Sequence, residues 1–244
     1  MTVTIKKGSK NMQEQNNKPV VIGVSGLARA GKDTFVKVAS KILKENGYTS
    51  EKFAFADTLK NELESFIRTY YGLNVWTDNT NEKNVIRPIL VAHGCQKRMQ
   101  TDGKYWIDSV DELIINSTKD VIFISDCRFP NEIEWLHDRW DGWFVHLKKY
   151  SIDKRYYEQT DPDCTFYQGI SETKIYDKAP NEEEAKNDPI CEKNADYKLE
   201  LENIVEREHR LKSIKKTLES LIDNTYLNEE IKLCLTKCPF LTIK

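Results

Sequence analysis

The sequence contains no uncharged apolar run approaching the length of a membrane span. Residues 1–18 hold lysine, glutamine and asparagine where a secretory leader would hold an apolar core, so they read as a polar N-terminal tail. A basic excess is missing too: the formal net charge is −2, from 37 Lys and Arg against 39 Asp and Glu. That balance gives no global positive field. Stable nucleic-acid binding is therefore not expected, and any anion site must be local. The 6 cysteines are scattered, and only Cys234 and Cys238 share a helical spacing. No second Cys/His pair matches them, so a zinc centre lacks its other ligands. Packing thiols in a reducing, cytoplasmic setting are the expectation. No internal repeat is visible.

What remains is a soluble balance, 39% hydrophobic and 31% charged, over 244 residues. That is enough for one large α/β domain. Val20 to Ser25 is short, β-branched and nearly all apolar, the signature of a strand buried on both faces. A glycine loop follows, then apolar residues at helical spacing from Phe35 to Leu43, stopping near Asn46-Gly47. A second strand is expected over Glu51–Ala56, with Asp57 capping a helix that runs to about Tyr71. Helical patterning resumes from Glu82 to Gln100 despite Pro88, and again from Lys104 to Asn116. Val121–Ile124 reads as a strand, Asn131–Trp140 as a helix and Trp143–Leu147 as a strand. Residues 148–193 are polar with little periodicity, and are expected to form a lid without regular structure. A last strand over Tyr197–Leu201 and a helix over Ile204–Ile222 complete a domain spanning 19–222. The extension 223–244 receives no element.

Strands separated by helices must pair in parallel, with helices flanking the sheet. Ligands on such sheets sit at the carboxyl ends of the strands. The chemical motifs fall there. Gly26-Leu27-Ala28-Arg29-Ala30-Gly31-Lys32-Asp33-Thr34 lies between the first strand and helix and matches the G-x-x-x-x-G-K core of a phosphate loop. Its backbone N–H groups and helix end suit phosphate oxygens, and Lys32 adds a point charge. Asp33 stands where a hydroxyl is usual, with Thr34 one residue later, so Asp33 is a candidate ligand for Mg²⁺ or its water.

Asp126, at the tip of the strand Val121–Ile124, is a second candidate metal residue, and Arg128 lies two residues on. Asp57 and Lys60 can face the cleft from a helix start; a capping aspartate and a solvated lysine are the commoner fates. Arg87 and Arg98 are about three helical turns apart and suit a bidentate grip on a monophosphate. Trp106 can stack on a base or fill the core.

Together these residues resemble the deoxynucleoside monophosphate kinases of bacteriophages and large DNA viruses. The carriers are Gly31-Lys32-Asp33-Thr34, Phe55-Ala56-Asp57-x-Leu59-Lys60, Arg87-Pro88 with His93-Gly94, Arg98 and Trp106, and Asp126-x-Arg128-Phe129-Pro130-Asn131-Glu132. Ser171-Glu172 and Ala195-Asp196-Tyr197 extend the likeness over most of 19–222. The chain departs from that pattern at Gln168-Gly169-Ile170, where the family's histidine is missing, and at Leu90-Val91-Ala92-His93.

The resemblance implies a P-loop NTPase fold and transfer of the ATP γ-phosphate, with Mg²⁺, to a small nucleotide in the cytoplasm, that of the host if the chain is viral. It implies that Gly26, Ala28, Arg29, Ala30, Gly31, Lys32, Asp33 and Thr34 hold ATP, that Lys32, Asp126 and Arg128 are catalytic, and that Asp57, Lys60, Arg87, Arg98 and Trp106 face the acceptor. Lys148, Lys149, Lys154 and Arg155 are candidate phosphate contacts of the lid. Another small-molecule kinase of the same fold, such as a phosphomevalonate kinase, and a nucleotide-binding protein with little turnover are the alternatives. Oligomeric state stays open, with a homodimer among the options.

Overall fold

A computed structural model of the chain describes residues 18–160, 166–203 and 219–244, with side chains at 154–172 and 219–225 left out of the description. The elements are β1 (Val20–Ser25), α1 (Lys32–Glu45), β2 (Ser50–Phe53), α2 (Phe55–Tyr71), α3 (Thr80–Gln100), α4 (Lys104–Asn116), β3 (Val121–Ile124), α5 (Pro130–Trp140), β4 (Trp143–Thr160), β5 (Phe166–Tyr176), α6 (Glu182–Lys193), β6 (Tyr197–Glu202) and α7 (Glu219–Lys237). It is an α/β architecture with a mostly parallel central sheet and helices on both faces. Among the described residues no helix is long and apolar enough to cross a membrane.

β1 sits at the centre, paired in parallel with β3 on one side and β4 on the other. β2 extends the sheet beyond β3, and β6 extends it beyond β4, both in parallel. The expected adjacency of the first strand and the Asp126 strand is present.

Alternation along the strands feeds two cores. Ile22, Val24, Val121, Phe123, Val145 and Leu147 pack with Phe35, Val36, Ala39, Ile42 and Leu43 of α1 and with Ile231, Cys234 and Leu235 of α7. Val21, Ile122, Ile124 and Phe144 pack on the opposite face against Trp106, Ile107, Val110 and Ile114 of α4 and Ile133, Leu136 and Trp140 of α5. Both faces are apolar, which is why these strands read as continuous hydrophobic runs. A smaller cluster of Leu63, Ile67, Val75 and Ile86 joins α2 to α3.

Several boundaries differ from expectation. α2 begins at Phe55, so Asp57 lies in its first turn and is not its N-cap. α3 begins at Thr80, capped by Asn79, and carries Pro88 in its interior. Residues 148–193 are not structureless. β4 runs on to Thr160, β5 returns antiparallel to it from Tyr150↔Tyr176 outward, and α6 follows. Tyr150 pairs with Tyr176 and also with Glu202, so β5 and β6 lie on opposite edges of β4. β5 therefore continues along the edge that β1 occupies up to Ser25↔His146, beyond the carboxyl end of β1. The missed signal has a cause in the sequence: residues 154–172 mix charged, polar and aromatic side chains without a sustained alternation of period two.

The helix expected over Ile204–Ile222 falls, up to residue 218, outside the described residues, as do residues 1–17 of the tail and Cys164. The extension left without an element carries most of α7. Ile231, Cys234, Leu235, Cys238 and Leu241 are buried against α1 and the sheet. The five described cysteines are free thiols. Burial pushes the Cys191 thiol up to about 12 and Cys238 to about 11. Because Ile231 is fully buried, Ile231→Ala is expected to destabilise the whole domain by about 2–5 kcal/mol. Urea unfolding would show it as a lower midpoint with an unchanged slope; an unchanged midpoint would detach α7 from the cooperative core.

Candidate functional site

The glycine loop between β1 and α1 is curled by three positive φ angles, at Gly26 (130°), Arg29 (68°) and Gly31 (98°). At Gly26 a side chain is sterically excluded as well, because a Cβ would collide with the Leu147 carbonyl of β4. Gly31 is the N-cap of α1, so the loop opens directly onto a helix N-terminus. Lys32 folds back over the loop, its Nζ donating to the carbonyls of Gly26 at 2.6 Å and Leu27 at 2.9 Å. Burial first, and the Arg128 charge second, lower the Lys32 pKa; Glu184, Asp126 and Asp33 act in the opposite direction. Charges from three separate elements therefore converge on this ammonium.

Asp126 follows β3 beside the loop. Its Oδ1 accepts from the Phe55 N–H and its Oδ2 from the Ala56 N–H, both at 2.9 Å. Asp126 thus fills the capping role at the start of α2 that the sequence assigned to Asp57. Burial raises the Asp126 pKa, while those two N–H groups and Arg128 oppose the rise.

The turn into α5 is organised by Glu132, which is 1% exposed. Its Oε2 accepts from the N–H groups of Arg128 (2.7 Å) and Phe129 (3.1 Å). Its Oε1 accepts from Arg98 Nη2 at 2.7 Å. The Arg98 guanidinium also stacks on the Phe129 ring, 3.4 Å from its centre. Burial raises the Glu132 pKa and the Arg98 charge lowers it. The capping-box spacing of Glu132 after Phe129 is the signal that could have assigned this residue a role.

Arg128 is half exposed and points toward the loop. Its Nη1 donates to Glu184 Oε1 at 3.1 Å, and Glu184 Oε2 accepts from the Ala28 N–H of the loop at 2.9 Å. Glu184 belongs to α6, and sequence reasoning missed it. A carboxylate here stands in for an anionic oxygen group: it takes one loop N–H and one guanidinium N–H.

The other expected residues divide. Asp33 is 85% exposed and pairs with Lys52 of β2 at 3.2 Å. Ala28, Arg29 and Thr34 are exposed, and Ala30 is buried beneath the loop. Asp57 and Lys60 pair at 3.8 Å on the first turns of α2, close enough for Asp57 to raise the Asp126 pKa slightly. Lys60 Nζ lies 4.6 Å from the centre of the Trp76 ring, and Trp76 is 40% exposed. Trp106, by contrast, is buried and donates its indole N–H to the Gly94 carbonyl at 3.2 Å. Arg87 is exposed on α3 and makes no hydrogen bond or ion pair with described residues, whereas Arg98 is held by Glu132. Lys148 is held by Glu192, at 2.8 Å and 2.9 Å. The side chains of Lys154, Arg155 and Ser171-Glu172 lie outside the described residues. Asp196, part of the likeness noted above, accepts from the Phe144 N–H at 2.7 Å and ties α5 to β4 through His137.

Among the described residues no group of three or more His, Cys, Asp or Glu side chains gathers to hold a metal ion unaided. Magnesium at phosphate sites takes one or two carboxylates, the rest being water and phosphate oxygens. Asp126 fits that demand, since among the described residues each of its oxygens accepts one hydrogen bond and keeps a lone pair.

The chain matches no family model and no curated protein sequence.

Removing Glu132 would leave Arg98 without its buried partner. Glu132→Ala is expected to destabilise by about 3 kcal/mol, the low end for a buried pair because Arg98 keeps 23% exposure. Chemical denaturation measures it; a loss below about 0.5 kcal/mol would mean that the pair holds nothing in place.

Proposed function

We propose that the chain is a P-loop kinase that transfers the γ-phosphate of ATP to a nucleoside monophosphate, most simply a deoxynucleotide, in the cytoplasm. The observation that carries this reading is the contact between Glu184 and the glycine loop. The Ala28 N–H and the Arg128 guanidinium already bind a carboxylate in the mouth of that loop, beside Lys32. Backbone N–H groups, a helix N-terminus, a lysine and an arginine are the donor set that phosphate oxygens require.

In the proposed reaction an oxygen of the acceptor monophosphate attacks the γ-phosphorus, the bond to the β–γ bridging oxygen breaks, and ADP leaves. Little covalent chemistry falls to the protein; positioning and charge neutralisation carry the step. Loop N–H groups and Lys32 hold the donor phosphates. Arg128 answers charge on the group in transfer. When bound, Mg²⁺ supplies further neutralisation across the phosphate oxygens, with Asp126 and Asp33 as the residues that would hold it or its waters. On the acceptor side, Lys60 and Asp57 stand one turn from the Asp126 contact, with the exposed ring of Trp76 over Lys60. An accessible aromatic beside a cation supports a base-bearing acceptor over a phosphate without a base.

The assay is ADP release from ATP-Mg²⁺ with each dNMP, each NMP and phosphomevalonate in turn. Turnover with a dNMP is expected. Arg128→Ala should then lower kcat and kcat/KM together, by about 10³-fold, with ATP binding nearly unchanged. Turnover with phosphomevalonate alone, or none with any acceptor, would overturn the nucleotide reading.

The lowered pKa of Lys32 gives a separate test. Anionic ligands favour the charged amine, so affinity is full below the native pKa and falls as pH rises through it. That loss should begin at lower pH than for an ordinary lysine, and Lys32→Arg should remove it, because a guanidinium stays charged. Calorimetric titration with ATP across the alkaline range measures the limb; a flat profile in the wild type would remove Lys32 from the phosphate contacts.

A further inference from the structure

Helix α6 carries a stripe of three acids, Glu184, Asp188 and Glu192, spaced four residues apart and hence on one face. Each meets a basic partner from the strand ends beneath. Glu184 pairs with Arg128 at 3.1 Å, Asp188 with the buried His146 at 3.0 Å, and Glu192 with Lys148 at 2.8 Å. His146 and Lys148 alternate with Leu147 along β4, so both face α6. The helix starts at a defined cap, the Asn181 side chain accepting from the Glu184 N–H at 2.8 Å. The stripe is therefore a docking face, and its first member overshoots the sheet edge into the loop.

That first member is unlike the other two. Glu184 is only 10% exposed, and its second oxygen leaves the ion pair to accept from the Ala28 N–H. Besides the Asn181 side-chain amide of its own cap, at 3.4 Å, Glu184 engages a loop N–H of the kind assigned above to the donor phosphates and the arginine assigned to the group in transfer. A phosphate oxygen and the Glu184 carboxylate cannot both occupy that N–H and that arginine.

We propose that α6 is an autoinhibitory strap: Glu184 acts as a tethered substitute for phosphate, and nucleotide binds by displacing it and loosening α6 from β4. This rests on the phosphate-binding reading of the loop. The strap gives the site two states. With α6 docked, Arg128 is neutralised and the loop is filled. With α6 released, Arg128 and the Ala28 N–H are free for the ligand. Occupancy by the strap lowers apparent affinity by the fraction of chains in which the site is closed. It also keeps an empty site from holding stray anions.

The test is calorimetric binding of inorganic tripolyphosphate to the wild-type chain, Glu184→Gln, Asp188→Asn and Lys32→Ala, with hydrogen exchange followed over residues 182–193. Glutamine keeps the shape of Glu184 but loses the charge that Arg128 answers. Glu184→Gln is expected to bind on the order of tenfold tighter than wild type. Asp188→Asn should tighten binding by a smaller factor, although Asp188 makes no contact with the loop. In the wild type, tripolyphosphate should speed exchange across 182–193. If Lys32→Ala loses binding while Glu184→Gln and Asp188→Asn match or fall below wild type, the strap is wrong and the phosphate loop stands. If neither the wild type nor the Glu184 and Asp188 variants bind tripolyphosphate, the loop reading fails and the strap fails with it.

Discussion

A carboxylate removed from water survives ionised only when its charge is answered on every side. Glu132 meets that demand with two backbone N–H groups and one guanidinium. The consequences run outward. Holding the N–H groups of Arg128 and Phe129 sets the direction in which the chain leaves β3, and so aims the Arg128 side chain at the glycine loop. Holding Arg98 pins the end of α3 over the same turn. Two residues before Arg128, Asp126 grips the start of α2 by two N–H groups. Three helices are thus located relative to one strand tip by two acids, and neither acid needs a partner of its own size in the core.

The parallel sheet makes this economy possible. β1, β2, β3, β4 and β6 run the same way, so their carboxyl ends open on one edge. Every connection leaving that edge can contribute a polar group without crossing the core. The glycine loop leaves β1, the start of α2 leaves β2, Asp126 and Arg128 leave β3, and α6 is reached from β4 and β5. Burial on both faces supplies rigidity beneath: the strand ends stay put, and the groups above them inherit that order.

The parts of the fold that show in the sequence are those where one physical cause acts locally. β1 and β3 announce themselves because both faces are buried, which demands unbroken apolar residues. The loop announces itself because curling backbone needs glycine at Gly26 and Gly31. Boundaries were less visible where the capping group comes from elsewhere: Asp57 looked like the N-cap of α2, but Asp126 of another strand does that work. The β4–β5 extension escaped because charged, polar and aromatic residues follow one another along it in sequence without a sustained period of two. α7 escaped because its buried residues find their partners in α1, far away in sequence. Glu184 was the least legible of all. It stands in a run of three glutamates that reads as an acidic first turn, and nothing nearby states that one of them reaches a loop 156 positions earlier.

The exposed indole of Trp76 has a spectroscopic consequence. Trp106, Trp140 and Trp143 are buried, Trp135 is partly covered, and Trp76 alone is 40% open with an ammonium group over its ring. Small polar quenchers such as iodide or acrylamide therefore reach one fluorophore far more readily than the rest. The red edge of the intrinsic emission is expected to come chiefly from that side chain, beside Lys60. The chain carries its own optical probe beside the start of α2, and a ligand seated against that ring would be read from the native light of the protein without attaching a dye.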